Sequence, residues 1–297
     1  MTLRIRMAVV MIALGVAASA LLCSCHNNRS TATQQTTFTD DYNRTVDVPN
    51  NPQRIVSVSP AVTEIIYALG AADRLVGRTD FCTYPADAAK IESIGGISNL
   101  NVEKILSLNP DIVISGSMVP QKSVEQLEKM GVPVVCIIEK PSFDGIYQNI
   151  LRIGQLTNKA QQADSINERI RTQVEALRDS TPIDQRPSLY YVVGYGKGGN
   201  FTAGGESFIN DIIALAGARN IASDLKGWEY SLEALVDNDP EYILIRQEDS
   251  AGFCQQQPYS KLSAVKNNRV IAIESGMIDL QVPRNIDAIH LIRNRIK

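Results

Sequence analysis

Histidine is nearly missing: the 297 residues contain two, His26 and His290. One lies just after the start and the other near the C-terminus, with no Cys/His metal spacing around either, so a His-dependent nucleophile triad or a zinc site is not expected. A basic excess is missing too. Lys and Arg number 29 against 32 Asp and Glu, a net charge of −3, so there is no electrostatic footprint for nucleic acid. Aromatic residues make up 6% of the chain and tryptophan occurs once, at Trp228. The glycine-rich phrase "GYGKGGN" lacks both the dinucleotide fingerprint and the lysine-serine ending of a phosphate loop. No serine stands in a nucleophile-elbow phrase. These absences point away from an enzyme and from a bound cofactor.

One long hydrophobic run is present, and it lies at the start. Arg4 and Arg6 precede "AVVMIALGVAASALL", and "LCSC" closes the run with Leu22 and Ser24 before Cys25. The apolar core is short for a membrane span and reads as a processing segment over residues 1–25. It resembles the bacterial lipoprotein signal, in which the cysteine becomes the lipidated first residue, so Cys25 is the expected anchor. The polar, aperiodic stretch that follows predicts a flexible tether over 26–38. The remaining chain is expected outside the cytoplasm, held to a membrane it does not enter. Of five cysteines, Cys82, Cys136 and Cys254 lie beyond the signal. An exported compartment permits one disulfide among them, and spacing does not select the pair.

Beyond the tether the chain repeats itself. "NVEKILSLNPDIVI" from Asn101 is matched without a gap by "SLEALVDNDPEYILI" from Ser231, aligning Glu103 with Glu233, Pro110 with Pro240 and Asp111 with Glu241. Each copy has a short helical apolar spacing, a proline that stops it, and a run suited to a buried parallel strand. "ALGAADRL" and "LAGARNI" form a second repeated pair in the same order. Strand and helix phrases alternate on both sides of residues 143–182, a long helical stretch interrupted at Thr157 to Lys159 and continued by a helix expected from Ala160 to Arg178, with Ile166, Ile170, Val174 and Leu177 on one stripe. The expected fold is α/β: two similar lobes, 39–142 and 183–297, each with a parallel-type sheet and joined by one long helix.

The phrases "RIVSVSPAVTEIIYALGAADRLVG" and "FTAGGESFINDIIALAGARNIASD" resemble the substrate-binding proteins of bacterial ABC importers for iron complexes and cobalamin. "VGRTDFCTYPADAAKIESIGG" brings the resemblance nearest to cobalamin-binding members. The resemblance implies a monomer that holds a small molecule between its lobes and delivers it to a permease dimer with ATPase subunits. The implied ligand is a corrinoid, with haem or a ferric siderophore as the alternative. Local wording places Pro60, Phe81, Tyr195, Phe201, Trp228 and Arg284 at the ligand. Glu103 and Glu233 are implied to dock on the permease, one per lobe, where exposed first-turn carboxylates would steer a basic partner. The chain departs from the cobalamin pattern at Ile97 and after Ser115, where tryptophan is common. A haem ligand would need Tyr84 or Tyr195 at the iron, and an anionic siderophore would need cations such as Arg78, Arg246 and Arg284.

Overall fold

The computed structural model describes residues 35–116, 118–178 and 181–296. The signal segment, Cys25 and most of the expected tether lie outside the described residues. The tether was expected to run to Phe38, but an ordered strand already begins at Gln35. Strand β1 (Gln35–Thr39) pairs antiparallel with β2 (Thr45–Pro49). The hairpin is tied to the first lobe through its turn: Arg44 binds Asp40 and donates to the Val134 carbonyl, and the Asp41 backbone N–H donates to the Cys136 carbonyl. Burial pushes the Asp40 carboxyl up, but the hydrogen bonds from Arg44 outweigh it and hold the group below its usual value.

The first lobe is built from β3 (Ile55–Ser57), helix α1 (Pro60–Ala68), β4 (Leu75–Arg78), a small hairpin β5 (Gly95–Gly96) and β6 (Asn99–Leu100), α2 (Val102–Ser107), β7 (Ile112–Ser115), α3 (Gln121–Lys129) and β8 (Val134–Cys136). Its parallel sheet runs in the order β4-β3-β7-β8. The chain then crosses through α4 (Phe143–Leu156) and α5 (Ala160–Leu177). The second lobe contains β9 (Ser188–Val192), α6 (Phe208–Leu215), β10 (Arg219–Asn220), α7 (Leu232–Asn238), β11 (Tyr242–Arg246), α8 (Gln247–Gln255), α9 (Ser263–Lys266), β12 (Val270–Ile273), α10 (Gly276–Asp279) and α11 (Asn285–Arg295). Its parallel sheet has the order β10-β9-β11-β12. First strand second, second strand at the edge, then third and fourth: the two sheets have one topology.

The repeated phrases perform the same local work in both lobes. Asn101 caps α2 by accepting from the Lys104 N–H, and Ser231 caps α7 by accepting from the Ala234 N–H. Both helices are left through a left-handed residue, Asn109 at φ 45° and Asp239 at φ 36°, each followed by proline. The next acid then fastens the strand that starts each lobe. Asp111 accepts from the Gln53 and Arg54 N–H groups, and Glu241 accepts from the Ser188 N–H.

The connection breaks where the sequence indicates, at Thr157 to Lys159. Asn158 adopts φ 53° and ends α4, while the Thr157 hydroxyl turns back to the Ile153 carbonyl, so two helices meet there. Helix α5 supplies the long element with 18 residues, about 27 Å at 1.5 Å per residue. One hydrophobic cluster runs through the inner faces of both sheets, α1, α4, α5, α6 and α11, and each lobe adds a smaller cluster on its other face. Cys82, Cys136 and Cys254 are all free thiols, so the permitted disulfide does not form. Among the described residues no helix is long and apolar enough to cross a membrane.

Candidate functional site

A cavity of about 490 Å³ lies between the lobes. From the first lobe it takes the loop after β3 and the start of α1 (Val58, Ser59, Pro60, Glu64), the loop after β4 (Phe81, Thr83, Tyr84), Ile97, and the loops after β7 and β8 (Gly116, Met118, Glu139). From the second lobe it takes Glu274 through Gly276, Asp279 through Gln281, and Arg284. The walls thus lie at the carboxyl ends of the first lobe's parallel strands, where open α/β sheets leave a crevice.

The floor is a salt bridge between the lobes. Glu64 sits mid-way along α1, whose residues from Ala61 to Ile66 are all buried, and Arg284 opens α11. Arg284 Nε and Nη2 donate to the two carboxylate oxygens of Glu64 at 2.6 and 2.8 Å, a bidentate pair with 8% and 5% of the side chains exposed. Arg284 Nη1 lies 3.0 Å from Glu274, and the Tyr84 ring stacks on the guanidinium at 3.9 Å. Burial pushes the Glu64 carboxyl up against the pull of Arg284. Burial disfavours the Arg284 charge as well, yet Glu64 and Glu274 outweigh it and keep the cation firmly protonated.

A second carboxylate is fixed from behind. Asp279 accepts from the Tyr191 hydroxyl at 2.6 Å and from Arg246 Nε at 2.8 Å. Burial and the neighbouring Asp279 drive the Tyr191 phenol far up, so it remains a donor. On the opposite wall the Ser59 hydroxyl, which also caps α1, donates to Glu139 at 2.6 Å. The cavity therefore presents four carboxylates, from Glu64, Glu139, Glu274 and Asp279, and one cation among its described residues, Arg284. Apolar surface comes from Phe81, Tyr84, Ile97, Met118 and Leu280.

Gly276 makes this floor possible. A Cβ on Gly276 would collide with Arg284 Nη2. Gly276→Ala is expected to displace the guanidinium and lower stability by about 1–3 kcal/mol, read as a shift in the denaturant midpoint. An unchanged midpoint would show that the guanidinium has room to move.

Of the residues singled out in the sequence, Pro60, Phe81 and Arg284 line the cavity. Tyr195, Phe201 and Trp228 do not. The Tyr195 ring packs edge-on against Phe253 and Tyr259 in the second lobe's own cluster, and its hydroxyl donates to the Asp249 carbonyl. Phe201 bridges Gly194 and Glu229 through its backbone, with its ring close to Gly194 and Gly199. Trp228 is 54% exposed outside the cavity wall. Two cations considered for an anionic ligand are already engaged: Arg78 donates to the carbonyls of Thr79, Ala88 and Ala89, and Arg246 holds Asp279. Sequence reasoning missed Glu64, Glu139, Glu274, Asp279, Met118 and Leu280. Glu64 had a signal, being an acid within the apolar helix phrase "PAVTEIIYA".

Comparison with known proteins agrees with this architecture. The chain is 29% identical over 296 residues to an uncharacterized ABC transporter substrate-binding lipoprotein of Bacillus subtilis, covering 94% of each chain. A cobalamin-binding protein of Halobacterium salinarum is 28% identical over 270 residues, which cover 86% of this chain and 72% of that one. Among solved structures, a periplasmic heme binding protein from Pseudomonas aeruginosa superimposes with a TM-score of 0.71 at 27% identity, covering 82% of this chain and 92% of the other. With the family model matching residues 55–276, which take in both sheets and most of the cavity wall, the chain belongs to the periplasmic binding protein family.

Proposed function

We propose that the protein is the lipid-anchored binding component of an ABC importer, and that it captures a corrinoid between its lobes and hands it to a permease dimer with ATPase subunits. The importer role follows the names of its relatives, and the ligand reading rests on the charge inventory of the cavity. Its single cation, Arg284, is occupied by Glu64 and Glu274, so a ligand rich in carboxylate or phosphate would meet four acids and no free cation among the described lining residues. A corrin ring fringed with amides suits the same wall. Its N–H donors find Glu139, Glu274 and Asp279, and its flat face finds Phe81, Tyr84, Met118 and Leu280. Haem is the second reading, favoured by Tyr84 in the cavity as an oxygen donor for iron.

The deciding experiment is titration of the protein with cyanocobalamin, haemin and a panel of ferric siderophores, followed by quenching of the sole indole, Trp228. Saturable quenching by cyanocobalamin at the lowest concentration is expected. Preferential binding of haemin or of an anionic siderophore would overturn the corrinoid assignment.

The anchor is Cys25. Several acyl chains hold a protein firmly, since each buried methylene contributes about 0.8 kcal/mol. Cys25→Ser is expected to move the protein from the membrane fraction to the soluble one. Unchanged labelling of that variant by a fatty-acid probe would remove the assignment.

Docking falls to Glu103 and Glu233, which are exposed in the first turns of α2 and α7. At the matched position of two lobes with one topology, they suit two matched sites on a permease dimer.

A further inference from the structure

The two docking helices have the same caps and the same glutamate, but their surfaces are not equivalent. In the first lobe the apolar positions beside Glu103 are Val102 and Leu106, and both pack against that lobe's outer cluster together with Leu100 of the β5–β6 hairpin. The matched positions beside Glu233 are Leu232 and Val236. Neither belongs to the second lobe's cluster, and they are 37% and 45% exposed. The second lobe has no described hairpin corresponding to β5–β6. Four residues apart on α7, Leu232 and Val236 share one helix face and form an uncovered apolar pair.

The charges differ in the same direction. On α2, Glu103 is followed by Lys104, which pairs with Glu92 at 2.7 Å. Helix α7 carries Glu233 and Asp237, both exposed, and no Lys or Arg. Nine large hydrophobic side chains stand exposed among the described residues; Phe81, Tyr84 and Met118 belong to the cavity, whereas Leu232 and Val236 have no counterpart covering them. An apolar pair flanked by acids that have no ion pair among the described residues fits a complementary surface, an apolar socket rimmed by Arg or Lys.

We propose that docking on the permease is asymmetric: the α7 face, through Leu232 and Val236 inside the acidic rim of Glu233 and Asp237, makes the dominant contact, and the α2 face adds a weaker, mainly electrostatic one. The proposal rests on the docking role given above to Glu103 and Glu233.

The test measures binding of the full chain to the importer's permease–ATPase complex in lipid vesicles, with and without cyanocobalamin. The variants are Leu232→Gln with Val236→Gln, Glu233→Gln, Glu103→Gln and Glu103→Arg with Glu233→Arg. Glutamine keeps helix propensity and removes only the apolar surface. The Leu232/Val236 pair and Glu233→Gln are each expected to weaken vesicle binding about tenfold or more, and Glu103→Gln by no more than about threefold. Thermal midpoint and cyanocobalamin affinity should not change in the Leu232/Val236 variant. Equal losses from Glu103→Gln and Glu233→Gln, with the Leu232/Val236 variant binding like wild type, would overturn the asymmetry and leave the glutamate pair in place. Wild-type vesicle binding by the double charge reversal would overturn the docking role itself. A lowered thermal midpoint or cyanocobalamin affinity in the Leu232/Val236 variant would mark that face as structural and also overturn the proposal.

Discussion

Replacing Arg284 by methionine is expected to lower the stability of the folded chain by about 3–5 kcal/mol, because it strips a buried carboxylate of its bidentate partner. Glu64 and Arg284 lie far apart in sequence and join the two lobes at the cavity floor, so the loss falls on the contact between lobes. The variant carries a pH signature. Burial already pushes the Glu64 carboxyl above its ordinary value with Arg284 in place, and without Arg284 it rises further. A carboxyl whose folded pKa exceeds its unfolded one makes folding take up a proton. The penalty is therefore smallest in acid and grows as pH rises through the raised value. Urea denaturation at pH 5 and pH 8 should show a wider gap from wild type at pH 8. Adding Glu64→Leu to the methionine variant should recover much of the loss, since a well-packed apolar pair can replace a buried ion pair. A wild-type midpoint in Arg284→Met at pH 8 would show that the pair contributes nothing to the lobe contact.

Phe81→Ala combined with Met118→Ala should act in the opposite way, leaving stability alone and removing ligand affinity. Both side chains line the cavity, and they are 61% and 70% exposed, so truncation opens no hole in the core. Each offers apolar surface that only a ligand can desolvate. The double variant is expected to bind cyanocobalamin about 2–4 kcal/mol more weakly, roughly 30- to 1000-fold in Kd, with an unchanged thermal midpoint. Isothermal titration beside a thermal melt separates the two quantities. Undiminished affinity would place the corrin ring elsewhere and remove the apolar wall from the site.

The fold was legible because its instructions are local and were written twice. A capping Asn or Ser, a short apolar helix, a left-handed residue before proline and an acid that fastens a strand are all read within about fifteen residues of one another, as at Asn101–Asp111 and Ser231–Glu241. The break between α4 and α5 was legible for the same local reason: the helical pattern is interrupted at Thr157 to Lys159, and Asn158 there takes φ 53°, a conformation that asparagine tolerates.

The cavity was legible only in part. Pro60 and Phe81 stand beside strand ends, where loops of an α/β lobe meet a crevice, and the resemblance of their local wording to the family indicated them. Tyr195, Phe201 and Trp228 are read from equally suggestive phrases and lie elsewhere, because which side of a lobe a loop aromatic covers depends on its partners. For Tyr195 those are Phe253 and Tyr259, far along the chain. The acids of the cavity were hidden for the same reason. Glu64 acquires its meaning from Arg284, and Asp279 from Tyr191 and Arg246, pairings that no local pattern encodes. Sequence determined two repeated lobes, their caps, and the glutamate at the head of each repeated helix, since all of these depend on neighbours along the chain. Tertiary structure decided that Arg284 is spent on an ion pair and that Leu232 and Val236 stay uncovered while Val102 and Leu106 do not, because burial and charge pairing are set by residues that meet only when the chain is folded.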